Sequence, residues 1–173
     1  MKKILHITSQ YPGKTGSGIY LNELIREGKK KGYIQGLVAA LPRKMHITLD
    51  ISEKNFYPLV FNSKKIPFPI VGMSDVMPYE STKYSEMTVE MLYQWKRGFQ
   101  EIIEKAIEEF KPNIIISHHL WILTSLVKKI TPDIKVLSIC HGTDIRQFEN
   151  CPQYRQFVLS GCGQVDLVLA LSH

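Results

Sequence analysis

Three short polar clusters hold the atoms that could do chemistry: Ser9 to Gly18, Ser117-His118-His119, and Cys140-His141-Gly142-Thr143-Asp144. Each comes directly after an apolar, β-branched run. The first contains Gly13, Gly16 and Gly18, and glycines let a backbone approach a phosphate or a sugar hydroxyl closely. Gly16, Ser17 and Gly18 are therefore candidate ligand-binding residues. Adjacent histidines on extended chain point to opposite sides, so at most one of His118 and His119 faces a common crevice. At the third cluster Gly142 lets the chain turn, while Thr143 and Asp144 either cap the next segment or present oxygens to a hydroxylated ligand. His141, the first residue past its strand, is the candidate catalytic group.

Several familiar chemistries fail on these residues. Gly13-Lys14-Thr15 resembles the end of a phosphate-binding P-loop, but Thr8 stands where that motif needs its first glycine. A dinucleotide GxGxxG starting at Gly16 meets Leu21 where the third glycine belongs. The histidines and Cys140 come from separate strand ends, with no helical His pair and no CxxC, so no metal site is expected. Cys140, Cys151 and Cys162 are an odd, widely spaced set that suits neither a disulfide framework nor structural zinc. No GxSxG elbow, zinc finger or aromatic RNP run occurs, which argues against that hydrolase nucleophile and against nucleic acid as a partner.

The elements that must position these clusters alternate. Residues 3–8 read as a strand, and apolar residues from Ile19 repeat at helical spacing until Lys29-Lys30-Lys31-Gly32, a helix-ending signal. Gly36 to Leu41 reads as a second strand. Residues 43–81 are rich in proline, show no sustained period and are expected to leave the sheet, with one further strand near Phe68 to Val71. From Ser81 to Phe110 apolar residues recur every three to four positions, predicting a long amphipathic helix. Strands at 113–117, 135–140 and 166–171 then alternate with helices at 121–130 and 152–160. Strands so continuously apolar are covered on both faces, which predicts an α/β, doubly wound, Rossmann-like parallel sheet.

The 173 residues carry 22 Lys+Arg against 16 Asp+Glu, a net charge of +6, and 44% are hydrophobic. This is the composition of one folded domain and not of a disordered chain. The basic excess suits a polyanionic partner, whether phosphate groups, a membrane surface or nucleic acid. The opening Met1-Lys2-Lys3 does not lead into an unbroken apolar stretch or a small-residue cleavage site, so the chain is expected to be cytoplasmic.

In order and spacing, these pieces resemble the N-terminal half of retaining glycosyltransferases of family 4, two-domain enzymes of the GT-B fold. The likeness rests on the Ile-Leu-His-Ile-Thr strand with its glycine loop, on Lys-Pro-Asn-Ile-Ile-Ile-Ser-His-His, on His-Gly-Thr-Asp, and on Asp-Leu-Val-Leu-Ala-Leu-Ser. It implies that residues 1–173 are an acceptor-side domain with an irregular insertion at about 43–81, and that the donor-binding C-terminal domain lies outside the chain. It further implies sugar transfer with retention from a nucleotide-sugar donor to a glycan, lipid or small-molecule acceptor, with no further cofactor. Gly16 and Gly18 would approach the donor diphosphate and the acceptor, His141 the donor sugar, and His118, His119 and Asp144 would stand nearby. Lysines and aromatics in and after the insertion suit peripheral contact with the inner face of a membrane. The rival expectation is a stand-alone, flavodoxin-like module that binds a phosphorylated ligand without catalysis.

Overall fold

The computed structural model describes residues 2–43 and 47–171; residues 44–46 of the expected insertion and the terminal Ser172 and His173 lie outside it. In chain order the elements are β1 (Lys3–Thr8), α1 (Gly16–Lys30), β2 (Ile34–Pro42), β3 (Phe56–Phe61), β4 (Val71–Gly72), β5 (Thr82–Lys83) and α2 (Val89–Phe110). They continue with β6 (Ile114–His118), α3 (Ile122–Ile130), β7 (Lys135–Cys140), α4 (Thr143–Asn150), α5 (Arg155–Cys162) and β8 (Leu167–Ala170). Six strands form one parallel sheet in the order β3-β2-β1-β6-β7-β8, and β4 pairs with β5 in a separate two-stranded ladder. The order reverses between β1 and β6, so the loops leaving these two strands diverge to opposite faces and open a crevice at their carboxyl ends.

The sheet's centre is buried on both faces, with Leu5, Ile7, Val38, Ile115 and Val136 inaccessible to solvent. On one face α2 lays down Trp95, Phe99, Ile103, Ala106 and Phe110, spaced three and four apart as a helical stripe requires. Tyr84 wedges edge-on between Trp95, Trp121 and Tyr154 and joins α2 to α3 and to the turn before α5. On the other face α1 buries Leu21 and Ile25 against Leu37 and Ala39 of β2.

The sheet confirms the doubly wound α/β reading, and several local expectations change. Residues 56–61 lie inside the expected excursion yet form β3, the sheet's edge, with Tyr57, Leu59 and Phe61 buried on alternate positions. Pro58 masked this strand in the sequence, and an edge position is where a strand tolerates proline. The long helix begins at Val89 rather than near Ser81, because Thr82 and Lys83 pair with β4 and residues 84–86 make a 3-10 turn that buries Tyr84. Helix α4 was not expected at all: the His-Gly-Thr-Asp turn runs straight into it. At the far edge, β8 leaves Leu167, Val168 and Leu169 39–48% exposed.

Helix α1 also starts earlier than expected. Thr15 is its N-cap and accepts a hydrogen bond from the Gly18 N–H at 3.0 Å, so Gly16, Ser17 and Gly18 form the first helical turn rather than a loop. A Cβ on Gly18 would lie 2.4 Å from the Gly13 backbone nitrogen, whereas one on Gly16 would meet nothing within 4 Å. Gly18→Ala is therefore expected to destabilise the fold by about 1–3 kcal/mol through overpacking against backbone. Gly16→Ala should stay within about 0.5 kcal/mol. Urea unfolding of the two variants checks the contrast, and equal midpoints would show that the close approach at Gly18 is not needed.

Candidate functional site

A cavity of about 590 Å³ opens at the carboxyl edge of the sheet where the strand order reverses. Its floor and one wall come from the first turn of α1 (Gly16, Ser17), from His119 after β6, and from His141 and Thr143 after β7. Two helix N-termini thus reach one space. The first N–H groups of a helix have no intrahelical acceptor, and the aligned peptide dipoles place partial positive charge there. Nothing acidic occupies the first turn of α1. In α4 the only acidic side chain of that turn, Asp144, is folded back and buried.

Asp144 holds the site together. One carboxylate oxygen accepts from His119 Nδ1 at 2.9 Å and the other from the His141 backbone N–H, so a residue of α4 ties the end of β6 to the end of β7. Burial acts to raise the Asp144 carboxyl, but hydrogen bonds from His119 and the His141 N–H outweigh it and hold its pKa below the ordinary range. With Nδ1 given to the carboxylate, the other ring nitrogen, Nε2, is left for another partner. That nitrogen has no partner among the described residues, although His119 is only 3% exposed.

His119 takes a left-handed backbone conformation with φ of 72°, a strain that persists only where surrounding bonds over-determine it. They do so here. The His119 N–H donates to the Ile139 carbonyl at 3.0 Å, and its own carbonyl accepts from the Trp121 N–H at 2.9 Å and from Thr124 Oγ1 at 2.6 Å. This twist ends the strand's alternation and brings both neighbouring histidines beside His141. The His119 ring centroid lies 4.6 Å from that of His141, and the His118 ring stacks on it at 5.8 Å.

Each candidate residue now has a place. Gly16, Ser17, His119, His141 and Thr143 line the cavity. Gly18, His118 and Asp144 do not: Gly18 is buried against Gly13, His118 lies beneath His141 and beside His6, and Asp144 stands behind His119. His6 Nε2 donates to Gln35 Oε1 at 3.1 Å, a direction fixed because the Gln35 amide nitrogen is already given to the Ile25 carbonyl at 2.6 Å. Among the described residues no group of three or more His, Cys, Asp or Glu is arranged to hold a metal ion.

Sequence reasoning passed over Thr15, Tyr20 and the segment Met73 to Pro78, which line the cavity, the segment through every residue but Asp75. Thr15 carried a usable signal, a hydroxyl residue just ahead of an apolar helical period. The Met73–Pro78 segment carried none, because it is brought here by hydrogen bonds to residues far away in the chain.

The buried imidazoles make stability depend on pH. Desolvation lowers His6 from 6.5 to about 4, and it lowers His118 further with help from the neighbouring histidines. Burial and the nearby His119 ring also bring His141 to about 4, against the pull of Asp144. The unfolded chain therefore binds more protons than the folded one between about 4 and 6.5, and stability rises with pH through that window. Each fully buried histidine contributes a slope of about 1.4 kcal/mol per pH unit. Urea midpoints measured from pH 4 to pH 7 should climb, and His6→Gln should flatten the climb; a flat profile for the unsubstituted chain contradicts the burial of these rings as neutral groups.

No family model matches the chain, and no curated protein matches it by sequence. Among solved structures it is similar to the sucrose-phosphate synthase of Thermosynechococcus elongatus at 10% identity and a TM-score of 0.53, over 90% of this chain and 37% of that one. It also aligns with an alpha-glucosyltransferase solved with UDP and a 13-mer DNA containing a central A:G mismatch. That alignment covers 80% of this chain and 37% of the other at 12% identity, and its TM-score of 0.37 is too low to carry an argument. The chain thus spans well under half of either protein. The synthase likeness shows the fold alone: a Rossmann-like α/β domain that matches part of a much longer chain.

Proposed function

We propose that this chain is the acceptor-side domain of a GT-B glycosyltransferase of family 4, which moves a sugar from a nucleotide-sugar to a hydroxylated acceptor with retained configuration. One observation carries the reading: the first turns of two helices and the two imidazoles of His119 and His141 converge on one crevice whose lining, among the described residues, holds no Lys, Arg, Asp or Glu. A departing diphosphate needs stabilisation where charge develops, and oriented N–H dipoles in a partly water-excluded cavity supply it without a counter-ion. The synthase fold, in which this domain is 37% of the chain, and the apolar β8 edge are compatible with a second domain closing the cleft.

In this reading His141 donates from Nε2, which has no partner among the described residues, to the donor sugar or its phosphate. His119, oriented by Asp144, offers its Nε2 lone pair to a sugar or acceptor hydroxyl. Gly16, Ser17 and Thr143 direct N–H and hydroxyl groups at the leaving diphosphate. Gly18 and His118 act by packing the site rather than by touching ligand.

In the protein that carries this chain, His141→Ala is expected to lower turnover about 10²-fold or more, while the melting temperature stays near that of the parent. Turnover that survives the change, or a fold that collapses with it, makes His141 a structural residue and removes the reading's catalytic group. A second expectation concerns the 173-residue chain by itself. Because most donor contacts are assigned to another domain, calorimetry should find only weak binding of nucleotide-sugars, and micromolar affinity would overturn that division of labour.

A further inference from the structure

The cavity has two walls of opposite chemistry, and the proposed sugar transfer uses only one of them. Besides the helix N-termini, the segment from Met73 to Pro78 lines the space, with Met73, Val76, Met77 and Pro78. Val76 is 87% exposed. The polar side chains on this side are Gln10 and Ser74. The Gln10 amide is fully engaged within the protein: its nitrogen donates to the Val71 carbonyl at 2.8 Å and to Ser9 Oγ at 3.3 Å. Its oxygen accepts from the Tyr79 hydroxyl at 2.9 Å and from the Met73 N–H at 3.3 Å. Two donors and two lone pairs are all a primary amide has, so none is left for a ligand.

The same bonds make the wall rigid in its backbone. Met73 is held through its N–H by Gln10 and through its carbonyl by Gln147 of α4 at 3.3 Å. Met77 lies over Gly72 so closely that a Cβ there would come within 2.6 Å of its Cγ and 3.2 Å of its sulfur. A ligand surface made of hydroxyls would lose its water hydrogen bonds against this wall and regain almost none. An apolar surface would gain by leaving water, and unbranched methionines adapt to its shape.

We propose that the Met73–Pro78 wall binds the apolar body of the acceptor, so that the acceptor is an alcohol carried on an aliphatic or aromatic body and not a free sugar. That the bound molecule is an acceptor rests on the transferase reading, whereas the apolar site stands on the lining alone.

The test uses the 173-residue chain with 13C-labelled methionine methyls. It is titrated with n-octyl β-D-glucopyranoside below the micelle-forming concentration and, separately, with methyl β-D-glucopyranoside. The Met73 and Met77 methyl signals should shift saturably with the octyl glycoside and stay in place with the methyl glycoside. Gly72→Ala, which displaces Met77, and Met77→Ser, which removes its apolar arm, should each weaken the octyl response about tenfold, with the remaining methionine signals showing that the variants fold. An equal response to both glycosides, a response confined to other methionines such as Met87 and Met91, or no response overturns the proposal. A parallel titration with uridine diphosphate, carried into the millimolar range where even weak binding shifts a signal and followed at the His119 and His141 ring protons, separates the two readings. Silent histidines beside a responding Met73–Met77 pair would leave the apolar site standing and remove the transferase reading; responding histidines beside silent methionines would do the reverse.

Discussion

The buried carboxylate of Asp144 is the constraint on which the site depends. Parallel strands end side by side with no covalent reason for their loops to converge, and the loops after β6 and β7 belong to different βα units. Asp144 joins them by accepting from the His119 ring and from the His141 backbone in the same two-oxygen clasp. An acidic group in the first turn of α4 is also favourably placed for the helix dipole. Because both oxygens are taken by these donors, the carboxylate is held behind the two histidines and is not turned into the cavity.

Two glutamines do for the opposite wall what Asp144 does for the floor. Gln10 leaves the end of β1 and Gln147 stands on α4, and together they grip the Met73 backbone from sequence distances of 63 and 74 residues. A segment with almost no regular structure is thereby held at the mouth of a regular sheet. These bonds are buried, so losing one partner leaves the other unsatisfied at a cost of about 1–3 kcal/mol each. The irregular region between β3 and α2 is in this sense part of the site's scaffold: β4 and β5 form its small ladder, and Tyr79 reaches back to Gln10.

The range of each interaction decided how much of it was legible in the sequence. The strands β1, β2, β6, β7 and β8 and the helix α2 declare themselves through periodicity, a local pattern set by burial on one or both faces. The three polar clusters were legible because parallel sheets collect function at strand ends. β3 was hidden by Pro58, and α4 by the reading of Gly142 as a turn although Thr143 and Asp144 are ordinary first-turn residues. Whether His118 or His119 faces the crevice could not be read from alternation, because the left-handed His119 interrupts the alternation at that point. The Met73–Pro78 wall left no trace in the sequence, since its position is fixed by Gln10 and Gln147 alone.

Among the described residues the cavity lining holds no Lys, Arg, Asp or Glu, and burial lowers the pKa of His141 within it. A lysine or arginine in the crevice would bind a diphosphate strongly before reaction and after it, whereas N–H dipoles and neutral imidazoles bind it less and gain most as charge accumulates on the leaving oxygen. The lowered pKa values of His141 and His118 keep these rings uncharged at neutral pH. In the proposed transfer the His141 ring would act as a fixed dipole that needs no reorganisation. That arrangement also lets an apolar wall stand a few residues away, because a cation in the same small space would draw in water and cancel the advantage of leaving the wall dry. The uncharged polar floor and the methionine wall thus fit together physically, and both suit the proposed transfer, in which dipoles alone would stabilise the leaving group.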